Sequence, residues 1–189
     1  MMEKVHFYLL LLCIFPFFLL SGCLDCEKVT LSLDLVRKVG EVYYFNIVSD
    51  SKDEKTIKED FWGLIKKVYF DDDSTSDPDR IISKRLYRDN EQLNARVRFS
   101  FMHLDKVLKD FEIKKDKKGN YFIDVTKEAE NYHISGNGRS VEIDSTKRFQ
   151  WPRHSKKIEF EMKRKGFDET QKTRLLMQWL EWVDKNLIE

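Results

Sequence analysis

The residues whose type and spacing could do chemistry are the acids of residues 71–79, the histidines His103, His133 and His154, the Ser/Gly segment 135–140, and the thiol of Cys23. Hard cations such as calcium take oxygen ligands, which an acidic loop supplies. Counted as an EF-hand from Asp71, the turn glycine would be Ser76 and the closing glutamate Ile82, so the loop reads as a solvated surface turn. None of the three histidines sits in His-Glu-x-x-His or another close pair, and no metal site is expected. No Gly-x-Ser-x-Gly elbow is present. Ser135-Gly136-Asn137-Gly138-Arg139-Ser140 lacks the P-loop lysine and leads into a strand pattern, so it reads as a turn. Carboxylates are too numerous for spacing alone to select a general acid and base. The expectation is a non-enzymatic protein with no catalytic residue, no metal and no cofactor.

Cys23 differs because of what precedes it. Lys4 and the amino terminus are followed by an apolar run over residues 7–20 and then by the small residues Ser21 and Gly22. That order is charged, apolar and small, as in a secretory signal. The run is shorter than the ~20 apolar residues that span a bilayer and contains Pro16, so cleavage is expected in place of a membrane span. Leu20-Ser21-Gly22-Cys23 also resembles the lipobox of bacterial lipoproteins. The resemblance implies a diacylglycerol on the Cys23 sulfur, cleavage between Gly22 and Cys23, and a fatty acyl group such as palmitate on the new amino terminus. It also implies a cell-envelope address. Leu24, and not Asp, follows the cysteine, which by the enteric sorting preference implies the outer membrane over the inner. One acyl chain holds only marginally, and two or three make attachment durable.

Residues 1–22 are therefore read as a signal peptide, 23–27 as a lipidated tether, and 28–189 as a single globular domain, a normal size for one core. The net charge of +1 suggests neither a nucleic-acid protein nor an acidic disordered tail. With Cys13 in the leader and Cys23 acylated, Cys26 has no intrachain partner and the fold must rest on packing. Basic residues are dense over 147–174. Lys156, Lys157, Lys163, Arg164 and Lys165 are the candidate contacts to an anionic lipid surface or envelope glycan, weighed against an ordinary solvated face. No protein partner is indicated.

The elements that must position these groups follow from periodicity. Val29, Leu31, Leu33 and Leu35 alternate with polar residues, and residues 42–48 continue in β-branched and aromatic types, so the two runs predict a hairpin. Ser51 and Glu54 have capping-box spacing ahead of Ile57, Phe61, Leu64, Ile65 and Val68, which predicts a helix over 53–69. Residues 81–87 and 93–101 form a second hairpin about Asn90, followed by a helical turn over 103–109. Strands are predicted over 121–125 and 158–162, and a hairpin at the Asn-Gly of residues 136–138. Trp151-Pro152 marks a loop. Leu175, Leu176, Trp179, Leu180, Trp182, Val183 and Leu187 give the terminal helix one broad apolar face.

The fold class expected is α+β, a largely antiparallel sheet with one central amphipathic helix and a C-terminal helix packed on it. Residues Gly40 to Tyr44 and Asp53 to Lys55 resemble segments of uncharacterised envelope lipoproteins of diderm bacteria, which implies no site residues. The functional expectation is a lipid-anchored binding or structural domain. The alternative is a carrier of a lipid or other apolar ligand in a cavity between sheet and helix, with an envelope hydrolase third.

Overall fold

The computed structural model describes residues 24–70, 80–168 and 173–186. The leader, Cys23, the acidic loop 71–79 and Leu187 lie outside the described residues. The chain is α+β with antiparallel strand pairing, as the periodicities predict, but it builds two sheets where one was expected.

The first hairpin is β1 (Leu24–Asp34) and β2 (Val39–Ser49), and the second is β3 (Arg80–Asp89) and β4 (Gln92–Ser100). The seven-stranded sheet runs β3-β4-β2-β1-β10-β7, where β7 is Tyr132–Gly136 and β10 is Lys157–Arg164; β11 (Thr173–Arg174) pairs with the end of β2. The four-stranded sheet runs β5-β6-β9-β8, from β5 (Lys114–Lys115), β6 (Tyr121–Asp124), β8 (Arg139–Ile143) and β9 (Thr146–Trp151). The helices are α1 (Glu54–Ile65), α2 (Leu104–Asp110), α3 (Glu128–Asn131) and α4 (Leu176–Asn186).

Register puts Leu31 opposite both Val42 and Phe160, with Val42 in turn opposite Val97. These side chains therefore share one face of the large sheet. Onto it pack Phe149 and Trp151 of β9, each with its ring edge against Phe160, at centroid distances of 5.6 and 6.0 Å. Phe111 stacks on Phe99 at 5.7 Å. Ile57, Phe61, Leu64 and Ile65 of α1 join the same continuous core, as do Leu176 and Trp182 of α4. Trp182 stacks on Tyr69 at 4.8 Å, so the C-terminal helix is seated on the turn that follows α1.

Several expectations are corrected. Ser51 does not cap α1; its hydroxyl accepts from the Asp53 amide, and Asp53 is the N-cap, accepting from the Thr56 amide at 2.9 Å. The helix stops at Ile65 and continues as a π-helical turn, Lys66–Phe70. Residues 24–27 are not a tether, because Leu24, Asp25 and Cys26 already pair with Ser49, Val48 and Ile47. Cys26 is thus a half-buried thiol within the sheet. Trp151 closes a buried strand that was read as loop.

The predicted hairpin at residues 136–138 is a crossover between sheets. β7 pairs with β10 while β8 pairs with β9. A Cβ on Gly136 would lie 2.1 Å from the Glu159 carbonyl, and one on Gly138 2.6 Å from that of Gln150, so each glycine lets the chain press against a different sheet. Asn137 between them clasps both. Its amide nitrogen donates to the Lys157 carbonyl at 3.1 Å, and its oxygen accepts from Trp151 Nε1 at 2.9 Å and from the Glu159 amide at 2.8 Å.

Candidate functional site

The five basic residues singled out by sequence do not form one patch. Lys156 and Lys157 stand at one end of β10 and Lys163, Arg164 and Lys165 at the other, ~20 Å apart at the rise of a strand. Strand alternation sends Lys163 and Arg164 to opposite faces. Most are also engaged: Lys157 with Glu159 at 2.6 Å, Lys163 with Glu27 at 3.1 Å, and Arg164 with Asp25. Lys165 donates to the Ala129 carbonyl at 2.8 Å, while Lys156 is exposed.

A different set converges on the outer face of the large sheet, opposite the core. One row runs Arg85, Arg96, Tyr43, Thr30, Glu161 and Ser135, each directly paired with the next across β3, β4, β2, β1, β10 and β7. A second runs Ser83, Arg98, Glu41, Ser32 and Glu159. A third sets Phe45 opposite Lys28, and Lys28 opposite Lys163. Period-two alternation explains the rows, since these are the odd residues of β3 and β10 and the polar alternates of β1 and β4.

Two like-charged pairs face each other in these rows, an arrangement that is destabilising in a sheet unless compensated. Lys28 and Lys163 are compensated one for one, by Glu161 at 3.4 Å and Glu27 at 3.1 Å. Among the described residues the cluster of Arg85, Arg96 and Arg98 has a single acid, Glu41, and only Arg96 and Arg98 touch it. Glu41 takes Arg96 at 2.5 Å and Arg98 Nε at 3.5 Å, and accepts from the Tyr43 hydroxyl at 2.7 Å. Burial alone would raise the Glu41 carboxyl, but the Tyr43 hydrogen bond and the two guanidiniums outweigh it and hold the group below the ordinary range. Arg96 is raised, chiefly by its bond to Glu41. Tyr43 is raised by burial and by donating to Glu41.

Arg85 is exposed and pairs with no acid among the described residues; its guanidinium lies over the Tyr87 ring at 5.5 Å. Arg96 lies over Tyr43 at 5.3 Å, and the Arg98 side chain is 46% exposed. Arginine stacked on an aromatic ring keeps its planar fork pre-organised for carboxylate, sulfate or phosphate. Sequence reasoning missed this cluster because it looked for contiguous basic residues. The signal was Arg96 and Arg98 at alternate positions of a strand whose other alternates are core.

Other sites offer less. The cavity enclosed between the sheets, lined by Val29, Phe111, Ile123, Trp151, Phe160 and Met162 among others, is about 20 Å³. That is one probe sphere, in apolar surroundings that do not hold water. An open groove of about 660 Å³ beside α2 is lined by Asp105, Glu112, Lys109, Lys114 and Lys115 together with Leu108 and Ile113, and Lys115 bridges Asp105 at 3.1 Å. No serine, histidine or cysteine lines it. Among the described residues no group of three or more His, Cys, Asp or Glu could hold a metal ion, and no helix is long and apolar enough to cross a membrane.

No protein-family model, curated protein or solved structure matches the chain.

Proposed function

We propose that the chain is a lipid-anchored protein of the cell envelope, attached through Cys23, with the outer membrane as its address, and that its domain binds a partner without catalysing a reaction. The Leu20-Ser21-Gly22-Cys23 lipobox and the apolar run before it support the anchor. The observation that carries binding is the outer sheet face, where Arg96, Arg98 and Tyr43 contact Glu41 and Arg85 stands opposite Arg96 over the Tyr87 ring. Pairing of β1 from Leu24 onward supports the combination, since an acyl group on Cys23 would hold a rigid sheet directly at the bilayer surface. The space of about 20 Å³ between the two sheets is too small to hold a lipid.

Metabolic labelling with an alkyne-bearing palmitate tests the anchor. The wild-type chain is expected to take up label and partition with the membrane fraction, and Cys23→Ala to do neither. Label on the Cys23→Ala protein would sink the anchor reading.

A further inference from the structure

We infer that the outer face of β2, β4 and β3 is a binding site for an anionic polysaccharide of the envelope, its acid groups held by Arg85, Arg96 and Arg98 and its hydroxyls by Glu41 and the neighbouring Ser83 and Thr30. This deepens the binding-domain reading and rests on it. The charge argument is internal to the sheet. The lysine pair Lys28 and Lys163 shows how this fold neutralises facing cations, with one acid for each. Among the described residues the arginine cluster, on the same face, has one acid, Glu41, which contacts two of its three cations, and this leaves positive charge for an external anion to balance.

The class of anion follows from the groups beside the arginines. Glu41 sits among them as an ionised acceptor, and a ligand with hydroxyl donors next to its acid groups satisfies both. A sugar acid has that composition, whereas a phosphodiester backbone offers acceptors alone. Base stacking is disfavoured as well, because guanidiniums already occupy the Tyr43 and Tyr87 rings. An anionic lipid surface is the competing source of negative charge, and the vesicle arm of the test separates it from the glycan.

The test uses the full chain, purified in detergent and titrated calorimetrically with four probes: a six-unit oligogalacturonate, maltohexaose as its neutral counterpart, oligo(dT), and vesicles containing phosphatidylglycerol. Oligogalacturonate is expected to bind, to weaken as salt rises, and to exceed maltohexaose, oligo(dT) and vesicles by about tenfold or more. Arg85→Ala with Arg98→Ala, both on exposed side chains, should weaken that binding about tenfold with the melting temperature unchanged, while Lys156→Ala with Lys157→Ala leaves it intact. Absence of oligogalacturonate binding overturns the inference. So does equal affinity for maltohexaose, a preference for oligo(dT) or vesicles, or indifference to loss of the two arginines. The Cys23→Ala protein keeps the arginine face, so it should bind oligogalacturonate as the wild type does. Failure of the anchor and failure of the glycan site are thereby read separately.

Discussion

The two faces of the seven-stranded sheet are made by alternate residues of the same strands, yet they solve opposite problems. On the inner face Leu31, Val42, Phe160 and their neighbours meet the second sheet and the helices in a continuous core, where the space lined by Val29, Phe111, Trp151 and Phe160 is about 20 Å³. On the outer face Glu41, Tyr43, Arg96, Arg98 and Arg85 stay half-buried or exposed and balance charge only in part. The inner face spends its residues on packing, which makes it the source of stability. The outer face keeps facing cations that no packing requires, which makes it the region free to carry recognition.

The largest expected effect comes from breaking the inner face. Trp151 is 1% exposed, touches Phe149 and Phe160 with its ring, and donates its indole N–H to Asn137. Trp151→Ala should cost ~3–5 kcal/mol in denaturant unfolding, the usual range for emptying an aromatic site. Arg85→Ala should stay within ~0.5 kcal/mol of wild type, since the side chain is exposed and has no acid partner among the described residues. Equal costs for the two would abolish the distinction between the faces.

Asn137 is the next test, because it joins the two sheets that make the inner face dry. Asn137→Ala leaves Trp151 Nε1 and the Glu159 amide without their acceptor. The expected cost is ~1–3 kcal/mol, the range for a stranded donor. Solvent exchange of the Trp151 indole hydrogen, followed by NMR, should accelerate more than that of backbone amides in β4. An unchanged indole rate would show that the clasp does not couple the sheets.

The same residues explain what the sequence could and could not reveal. The hairpins β1-β2 and β3-β4 were legible because one side of each strand is apolar, so period two survives in the sequence. The second sheet was not, since β5 is only two residues long and β9, with Phe149, Gln150 and Trp151 all buried in succession, has no alternation there. Asn137-Gly138 looked like a turn, yet neither residue takes a positive φ angle. The turns that do adopt the left-handed pair, Asn90-Glu91 and Asp144-Ser145, contain no glycine. A glycine needed for close approach and one needed for a positive φ are the same letter. The arginine site was hidden for a related reason: Arg85, Arg96 and Arg98 lie 44, 55 and 57 residues from Glu41 in sequence, and register alone sets Arg98 opposite Glu41 and brings Arg96 and Arg85 into the row of Tyr43.

The smallest effects, and the sharpest in sign, come from two carboxylates with opposite shifts, Glu41 and Glu128. Glu41 on the outer face is held below the ordinary range despite its burial, by Tyr43, Arg96 and Arg98. Its contribution is therefore present above the unfolded value of 4.5 and is lost as pH falls through the lower folded value. Glu128, at the start of α3, is raised chiefly by burial, with Asp124 and Glu112 adding to the push and Lys127 opposing it. Here the folded state binds the proton more tightly, so stability declines as pH rises from about 4.5 through the raised value. At neutral pH Glu41→Gln should destabilise and Glu128→Gln should stabilise, and both differences from wild type should shrink in acid. Thermal unfolding of the two variants from about pH 2 to 8 checks this, each effect being well under that of Trp151→Ala. If both shifted stability in the same direction at pH 7, the outer-face acid would not be held by its arginines, and the electrostatic difference between the two acids would fail.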